Sequence, residues 1–145
     1  MRIAVLNGPN LNLLGQREPE LYGSTSLAEI EGMVRDAAAP LGVQIDWFQS
    51  NHEGEMVEAV QRLRGRADGA LINAAALTHS SLALRDALLA VRVPFVELHL
   101  SNIFAREPER RHSVIADLAL GMVTGFGAQS YLLAFQALMG RLRAT

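Results

Sequence analysis

Residues 26–48 read SLAEIEGMVRDAAAPLGVQIDWF, and this stretch contains the pattern that decides the fold. Apolar residues recur at helical spacing behind Ser26 and Glu29, which form an S-x-x-E capping box at the start of the predicted helix. A proline and a glycine then end the helix, because neither residue favours its continuation. The apolar run at 43–48 predicts a buried strand directly afterwards.

The same alternation of helices and strands extends along the rest of the chain. Further apolar runs predict strands at residues 3–6, 70–72, 95–98 and 122–123. Helical patterns lie around residues 56–63, 84–91 and 131–142. Such alternation favours a parallel sheet covered on both faces. We therefore predict an α/β fold, a flavodoxin-like doubly wound sheet of five parallel strands in the order 2-1-3-4-5. Residues 1–145 are predicted to form one catalytic domain.

The composition excludes several classes of protein. The formal net charge is −2, and acidic and basic residues are interspersed, so neither nucleic acid nor a membrane is expected as a partner. Cysteine is absent, which excludes disulfides and thiolate chemistry and suits a reducing cytoplasm. No stretch approaches the roughly 20 apolar residues of a membrane span, and no signal sequence is apparent. A cytoplasmic location is therefore expected.

The basic residues narrow the chemistry further. All 13 of them are arginine, so the chain contains no lysine. Schiff-base catalysis and the Walker phosphate loop are therefore excluded, because both need lysine. The sequence lacks HExxH and has no close pair of histidines, so no metal site is predicted. The GFGAQS stretch at 125–130 only half matches a dinucleotide fingerprint. No metal and no cofactor are expected.

Polar residues gather where the predicted strands end. The four loops read NGPNLNLLGQREPELYG, QSNHEGE, NAAALTHSS and ELHLSNIFAREPERRHS. Parallel sheets bind ligands at the carboxyl ends of their strands, so these loops should meet at one edge. Residues 8–24 form a long connection rich in glycine and proline, which predicts a lid. The histidine, tyrosine, arginine and amide side chains suit proton transfer next to an oxyanion.

Tyr22 is the candidate base of this site. It follows Arg17 by five residues, and a phenol with an ordinary pKa of about 10 needs a nearby cation to act as a base near neutral pH. Spacing alone, however, favours an exposed loop tyrosine.

The histidines and the remaining arginines also have both a chemical and a structural interpretation. His79 and His99 each follow a predicted strand, where proton transfer and a structural role are both open. His52 and His112 stand among charged residues, which favours a structural role. An arginine cluster after the fourth strand could clamp a carboxylate, while spacing alone favours a solvated loop: Arg106, Arg110 and Arg111.

Taken in order, the loops resemble the type II 3-dehydroquinate dehydratase family over essentially the whole chain. The motifs that carry the resemblance are NGPNLNLLG, REPELYG, QSNHEGE, LTHSSLALRDAL, and ELHLSN followed by ARE. The resemblance implies a flavodoxin-like lyase without metal or cofactor. Such an enzyme converts 3-dehydroquinate to 3-dehydroshikimate by anti elimination through an enolate. The reaction serves the shikimate pathway of aromatic amino acid biosynthesis or quinate catabolism.

The resemblance also implies a role for each matching residue. Tyr22 takes a proton from C2, and Arg17 favours its phenolate and steadies the transition state. Asn12 holds a water against the enolate oxygen. His99 protonates the departing C1 hydroxyl, and Glu97 orients His99. The implied substrate-holding positions are Asn73, His79, Asp86, Arg110 and the backbone at Leu100 and Ser101.

Some positions depart from the family pattern. NAAA at 73–76 stands where the family usually has NPGA, which removes a rigid proline and a permissive glycine. This change bears on substrate affinity more than on the chemistry. Phe104, Glu109 and Ser130 also differ from the usual residues, and none of them is a proposed catalytic group.

The resemblance further implies a dodecamer built as a tetramer of trimers, in which Asp86 reaches into a neighbouring subunit's site. Two other functions stay open at this point. One is a flavodoxin-like module that holds a carboxylate ligand without turnover, and the other is an elimination on a related hydroxy acid. An assay for the conjugated enone product separates the binding module from the dehydratase.

Overall fold

A computed structural model of the chain describes residues 1–16, 18, 20 and 24–144. It contains one parallel sheet in the order β2-β1-β3-β4-β5, with helices on both faces. The flavodoxin-like architecture predicted from the alternation is therefore confirmed. The strands are β1 (Arg2–Asn7), β2 (Gln44–Gln49), β3 (Gly69–Asn73), β4 (Phe95–His99) and β5 (Gly121–Thr124).

In the described part of the chain, four α-helices follow strands and divide between the two faces of the sheet. They are α1 (Leu27–Ala38), α2 (Glu53–Gln61), α3 (Leu82–Val91) and α4 (Gln129–Arg143). Apolar residues of α1 and α4 share one core cluster with Ile3 and Val5 of β1. Residues of α2 and α3 share the other cluster with Ala4 and Leu6. Successive residues of β1 thus point to opposite faces, and both faces are buried.

The start of α1 has the cap that its sequence predicts. The Ser26 hydroxyl accepts the backbone N–H of Glu29, and the Glu29 carboxylate accepts the backbone N–H of Ser26. The helix passes into a 3-10 turn, Ala39–Leu41, and Gly42 then turns the chain with φ of 69°. A left-handed residue at this point lets the chain enter β2 at once.

The connection between β4 and β5 is irregular and contains three 3-10 turns. These are Ile103–Ala105, Pro108–Arg110 and Ala116–Leu118. A further 3-10 turn, Leu11–Leu13, follows β1, and another, Ala75–His79, follows β3. No helix in the described part of the chain is long and apolar enough to cross a membrane.

Candidate active site

The strand register brings the polar strand ends to one level. Asn7 at the end of β1 is in register with both Gln49 of β2 and Asn73 of β3. On the other side, His99 at the end of β4 is in register with Thr124 of β5. The loops that follow these residues therefore leave the sheet together, as expected for a parallel sheet.

A cavity lies between these loops and is lined by polar and apolar side chains. The polar residues that line it are Asn10, Asn73, His79, His99, Ser101, Arg106 and Arg110. Apolar neighbours include Pro9, Leu11, Ala75, Leu100 and Ile103. Six predicted site residues thus share one cavity, namely Asn73, His79, His99, Leu100, Ser101 and Arg110. A hydrophobic wall with a few converging polar groups is typical of a small-molecule site.

His99 and Glu97 form a hydrogen-bonded pair at the floor of this cavity. His99 Nε2 lies 2.6 Å from Glu97 Oε2, and Glu97 is completely buried. An ionised carboxylate can only accept hydrogen bonds, so Nε2 carries the proton that is shared with Glu97. The second ring nitrogen, Nδ1, is then the one left to exchange a proton with a ligand.

Glu97 has two further partners, which the sequence did not reveal. The Thr78 hydroxyl donates to Oε2 at 2.9 Å, and the Ser113 hydroxyl donates to Oε1 at 2.8 Å. Both oxygens of the buried carboxylate are therefore satisfied. Neither hydroxyl was assigned a role from the sequence, and each meets Glu97 only through the tertiary fold. The TH and HS dipeptides at 78–79 and 112–113 were the only available signal.

His79 and His112 tie two loops together through reciprocal bonds. His79 Nδ1 lies 2.7 Å from the His112 carbonyl oxygen, and His112 Nε2 lies 2.8 Å from the His79 carbonyl oxygen. Burial lowers the pKa of His79 below 6.5, the bond to the His112 carbonyl opposes this, and nearby His99 and Arg110 lower it further. Neutral His79 thus presents Nε2 as an acceptor. His112 has the structural role that its surroundings favoured.

Beneath the cavity, a buried polar network fixes the ends of two strands. Asn73 Nδ2 donates to the Tyr131 hydroxyl at 3.0 Å, and that hydroxyl donates to Asn7 Oδ1 at 2.6 Å. Asn7 Nδ2 in turn donates to the carbonyl of Phe48 at 2.9 Å. Burial raises the pKa of Tyr131, so this phenol stays neutral. The side-chain amide of Asn73 therefore contacts Tyr131 of α4, and the network links the ends of β1 and β3.

The arginine cluster divides between the cavity and its surroundings. Arg106 and Arg110 line the cavity, and Arg110 Nε also lies 3.1 Å from Glu107 Oε1. Arg111 donates from Nε to the Arg106 carbonyl and braces the turn. Two guanidinium groups on one side give the cavity a positive charge that favours an anionic ligand.

The model of the family described as Dehydroquinase class II matches residues 1–139. The chain belongs to this family. It is 60% identical over 143 residues to a 3-dehydroquinate dehydratase of Synechococcus sp. strain WH7803, over 99% of this chain and 97% of the relative. It is 53% identical over 134 residues to a catabolic 3-dehydroquinase 1 of Aspergillus terreus, over 92% and 88% of the two chains.

A solved structure gives the same result. The crystal structure of a type II dehydroquinase from Butyrivibrio crossotus matches with a TM-score of 0.93 and 37% identity, over 96% of this chain and 97% of that chain. The family resemblance inferred from the motifs of the four loops is confirmed.

The NAAA departure from the dehydroquinase pattern has a visible local effect. Ala74 has φ of −77°, which a proline would also allow. Ala75, at the usual glycine position, has φ of 54°, a left-handed conformation that favours glycine. The turn is held by the backbone N–H of Ala75, which donates to Asn73 Oδ1 at 3.3 Å. The turn thus forms in spite of the substitutions.

The remaining site residues predicted from the dehydroquinase resemblance lie elsewhere. Asn12 is exposed on the Leu11–Leu13 turn, next to residues that line the cavity. Asp86 is exposed on α3 and is not among the cavity residues. Tyr22 and Arg17 lie outside the described residues, as does part of the predicted lid at 8–24. Within the described part of the chain, no cluster of histidine, aspartate and glutamate is placed to hold a metal ion.

Proposed function

We propose that this chain dehydrates 3-dehydroquinate to 3-dehydroshikimate by anti elimination through an enolate. The observation that carries the proposal is the buried Glu97–His99 pair facing a cavity in a chain of the dehydroquinase family. Relatives bear both the plain dehydratase name and a catabolic one, so the product serves the shikimate pathway or quinate breakdown.

The elimination needs one base, one acid and donors for an oxyanion. Tyr22 as phenolate takes the C2 proton, and Arg17 is assigned to favouring that charge. A water held by Asn12 stabilises the enolate oxygen. His99, doubly protonated, then gives the Nδ1 proton to the C1 hydroxyl, which leaves as water while the electrons of the enolate form the new double bond. Glu97 holds the imidazolium by accepting a hydrogen bond from its Nε2–H.

The charges and donors of the cavity fit an anionic, polyhydroxylated substrate. The backbone N–H groups of Leu100 and Ser101 and the guanidinium of Arg110 are assigned to holding it, with Asn73 shaping that end of the cavity. Neutral His79 accepts a substrate hydroxyl at Nε2. These assignments need no metal and no cofactor.

The deciding experiment is a spectrophotometric assay for the conjugated enone with 3-dehydroquinate as substrate. Wild-type protein should form product, and both Tyr22→Phe and His99→Asn should lower kcat by orders of magnitude while substrate still binds. A module that only binds a carboxylate gives no product at any enzyme concentration. Product from a related hydroxy acid, with none from 3-dehydroquinate, identifies the other elimination.

We further propose that the protein works as a homo-oligomer, a dodecamer made of four trimers. Support comes from the outward face of α3, where Leu82 and Leu89 are 64% and 48% exposed. Asp86 lies between them at spacings of four and three residues, so the three side chains share one face of the helix. Exposed leucines around an aspartate are typical of a surface that another subunit covers. Analytical ultracentrifugation tests the subunit number.

We place this enzyme in the cytoplasm because its sequence contains no cysteine and its proposed substrate is a small metabolite. Fractionation of cells that express the chain from its own promoter tests the location. Recovery of the activity outside the cytoplasmic fraction contradicts it.

A further inference from the structure

Thr78 and Ser113 supply two further hydrogen bonds to Glu97, beside the contact with His99. Thr78 shares Oε2 with His99, whereas Ser113 holds the other oxygen, Oε1. Thr78 is completely buried. A buried carboxylate depends on such donors to stay ionised, because no water solvates its charge. The two hydroxyls thus affect both the orientation and the charge of Glu97.

Ser113 is fixed as a donor by its own neighbours. Its hydroxyl oxygen accepts the backbone N–H groups of Ile115 and Ala116, at 3.2 Å and 3.0 Å. A hydroxyl has one hydrogen to donate, and with its oxygen already accepting, that hydrogen points to Glu97. Oε1 of Glu97 therefore accepts this hydrogen bond.

The segments that carry the two hydroxyls are joined to each other. The backbone N–H of Val114 donates to the carbonyl of Thr78 at 2.8 Å, next to the reciprocal His79–His112 bonds. Arg85 of α3 braces the same segment, since Nη1 donates to the Val114 carbonyl at 2.9 Å. The two donors are thus held at a set separation, with Glu97 between them.

We propose that Thr78 and Ser113 are positioning residues for the elimination, holding Glu97 ionised and aligned so that His99 stays protonated toward the leaving hydroxyl. This inference rests on the proposed function of His99 as the general acid. It extends that function to two hydroxyls that bond to Glu97 and are not among the residues that line the cavity. Loss of either hydroxyl frees the Glu97 carboxylate to turn away from His99 Nε2, and the weaker contact lets the imidazolium lose its proton at lower pH.

The other charged groups near His99 do not change in such variants. His79, Arg106 and Arg110 line the same cavity as His99. The charges of His99 and Arg110 both act on His79 and lower its pKa. His79 and the two arginines all repel a proton on His99 when they are charged, whereas Glu97 attracts it. A shift to lower pH on removal of a hydroxyl is therefore assigned to Glu97.

The experiment compares Thr78→Val with Thr78→Ser, and Ser113→Ala with Ser113→Thr. Thr78→Val keeps the shape of the side chain and removes only the donor. We expect kcat to fall about tenfold in the variants without a hydroxyl, because a hydrogen bond to a charged group is lost. KM should change less than about twofold, and the basic limb of the kcat profile should move to lower pH. Thr78→Ser and Ser113→Thr should restore most of both.

Ser80→Ala is the matched control, because Ser80 is exposed and close in sequence to Thr78, and its side chain makes no hydrogen bond with the described residues. It should match wild type. The proposal is overturned if the basic limb of the kcat profile lies at the wild-type pH in both Thr78→Val and Ser113→Ala. This holds whether kcat is normal or reduced, because a purely structural defect lowers kcat equally at every pH.

A second readout separates this proposal from the proposed reaction. With histidine labelled at Cε1 by ¹³C, NMR follows the titration of the His99 ring in the assembled protein. The midpoint should lie lower in Thr78→Val than in wild type even if 3-dehydroquinate is not the substrate. Equal midpoints overturn the positioning role, whereas a lower midpoint in a protein without dehydratase activity overturns only the reaction.

Discussion

Ala75 has a left-handed backbone in a turn with no room to relax. A Cβ on Gly8 would lie 2.4 Å from the carbonyl oxygen of Ala74, so the first loop and this turn are in backbone contact. The left-handed conformation costs a residue with a Cβ roughly 1–2 kcal/mol. The sequence indicated that NAAA lacks the permissive glycine, but the sign of φ at Ala75 is known only from the structure.

Ala75→Gly should therefore stabilise the protein. The free energy gained by relieving the strain exceeds the free-energy cost of the entropy that glycine adds to the unfolded chain. The free energy of unfolding should therefore rise by roughly 0.5–1 kcal/mol. Urea unfolding followed by circular dichroism measures the change. Ala76→Gly is the control, since φ of Ala76 is not positive, and it should destabilise. Equal effects at the two positions contradict strain at Ala75.

His79 gives a prediction on the pH dependence of stability. Burial lowers its pKa below the ordinary 6.5, so the unfolded chain takes up this proton at a higher pH than the folded one. The contribution of His79 to stability is complete above pH 6.5 and is lost as the pH falls through the folded pKa. Stability relative to His79→Gln should therefore decline between pH 7.5 and pH 5. A constant difference in urea unfolding across that range contradicts the lowered pKa.

At the scale of elements, regular structure was predictable and irregular structure was not. The helix inferred from the capping box begins at Leu27, as its sequence indicates, and β4 differs from the predicted strand by one residue. Periodic burial leaves a pattern in the sequence. The 3-10 turns between β4 and β5 leave none, because Ser113 and Arg85 hold that segment through residues far away in sequence.

The capping box at the start of α1 gives the element-scale prediction. Ser26→Ala removes the hydroxyl that accepts the N–H of Glu29 at 3.1 Å, and it should lower the free energy of unfolding by about 1 kcal/mol. Thermal or urea unfolding measures this loss. Ser24→Ala, an exposed serine just before the helix, should be close to neutral. If the two variants lose equal stability, the cap does not stabilise α1.

At the scale of the whole molecule, one chain forms a cavity but leaves a candidate residue outside it. Arg85 makes two bonds with Asp117, at 2.6 Å and 3.0 Å, within the same chain. Its neighbour Asp86 is exposed, and the Asp86 side chain makes no hydrogen bond with another described residue. The sequence placed an Arg-Asp pair here, and the structure divides it into one residue that braces the domain and one that faces outward.

If Asp86 completes the site of a neighbouring subunit, two inactive variants should restore each other. Asp86→Arg should lose both assembly and turnover, whereas the milder Asp86→Asn should lose turnover and keep the oligomer. His99→Asn lacks the proposed acid but keeps Asp86. In oligomers assembled from equal amounts of Asp86→Asn and His99→Asn chains, half of the sites have His99 in their own chain. Half of these in turn have a neighbouring chain that supplies Asp86, so a quarter of the sites have both native residues. Mixed oligomers should therefore regain about a quarter of wild-type activity in the enone assay. The individual variants, mixed only after separate assembly, serve as the control and should stay inactive. Activity of co-assembled chains no higher than this control, or a fully active wild-type monomer in light scattering at assay concentration, refutes the shared site.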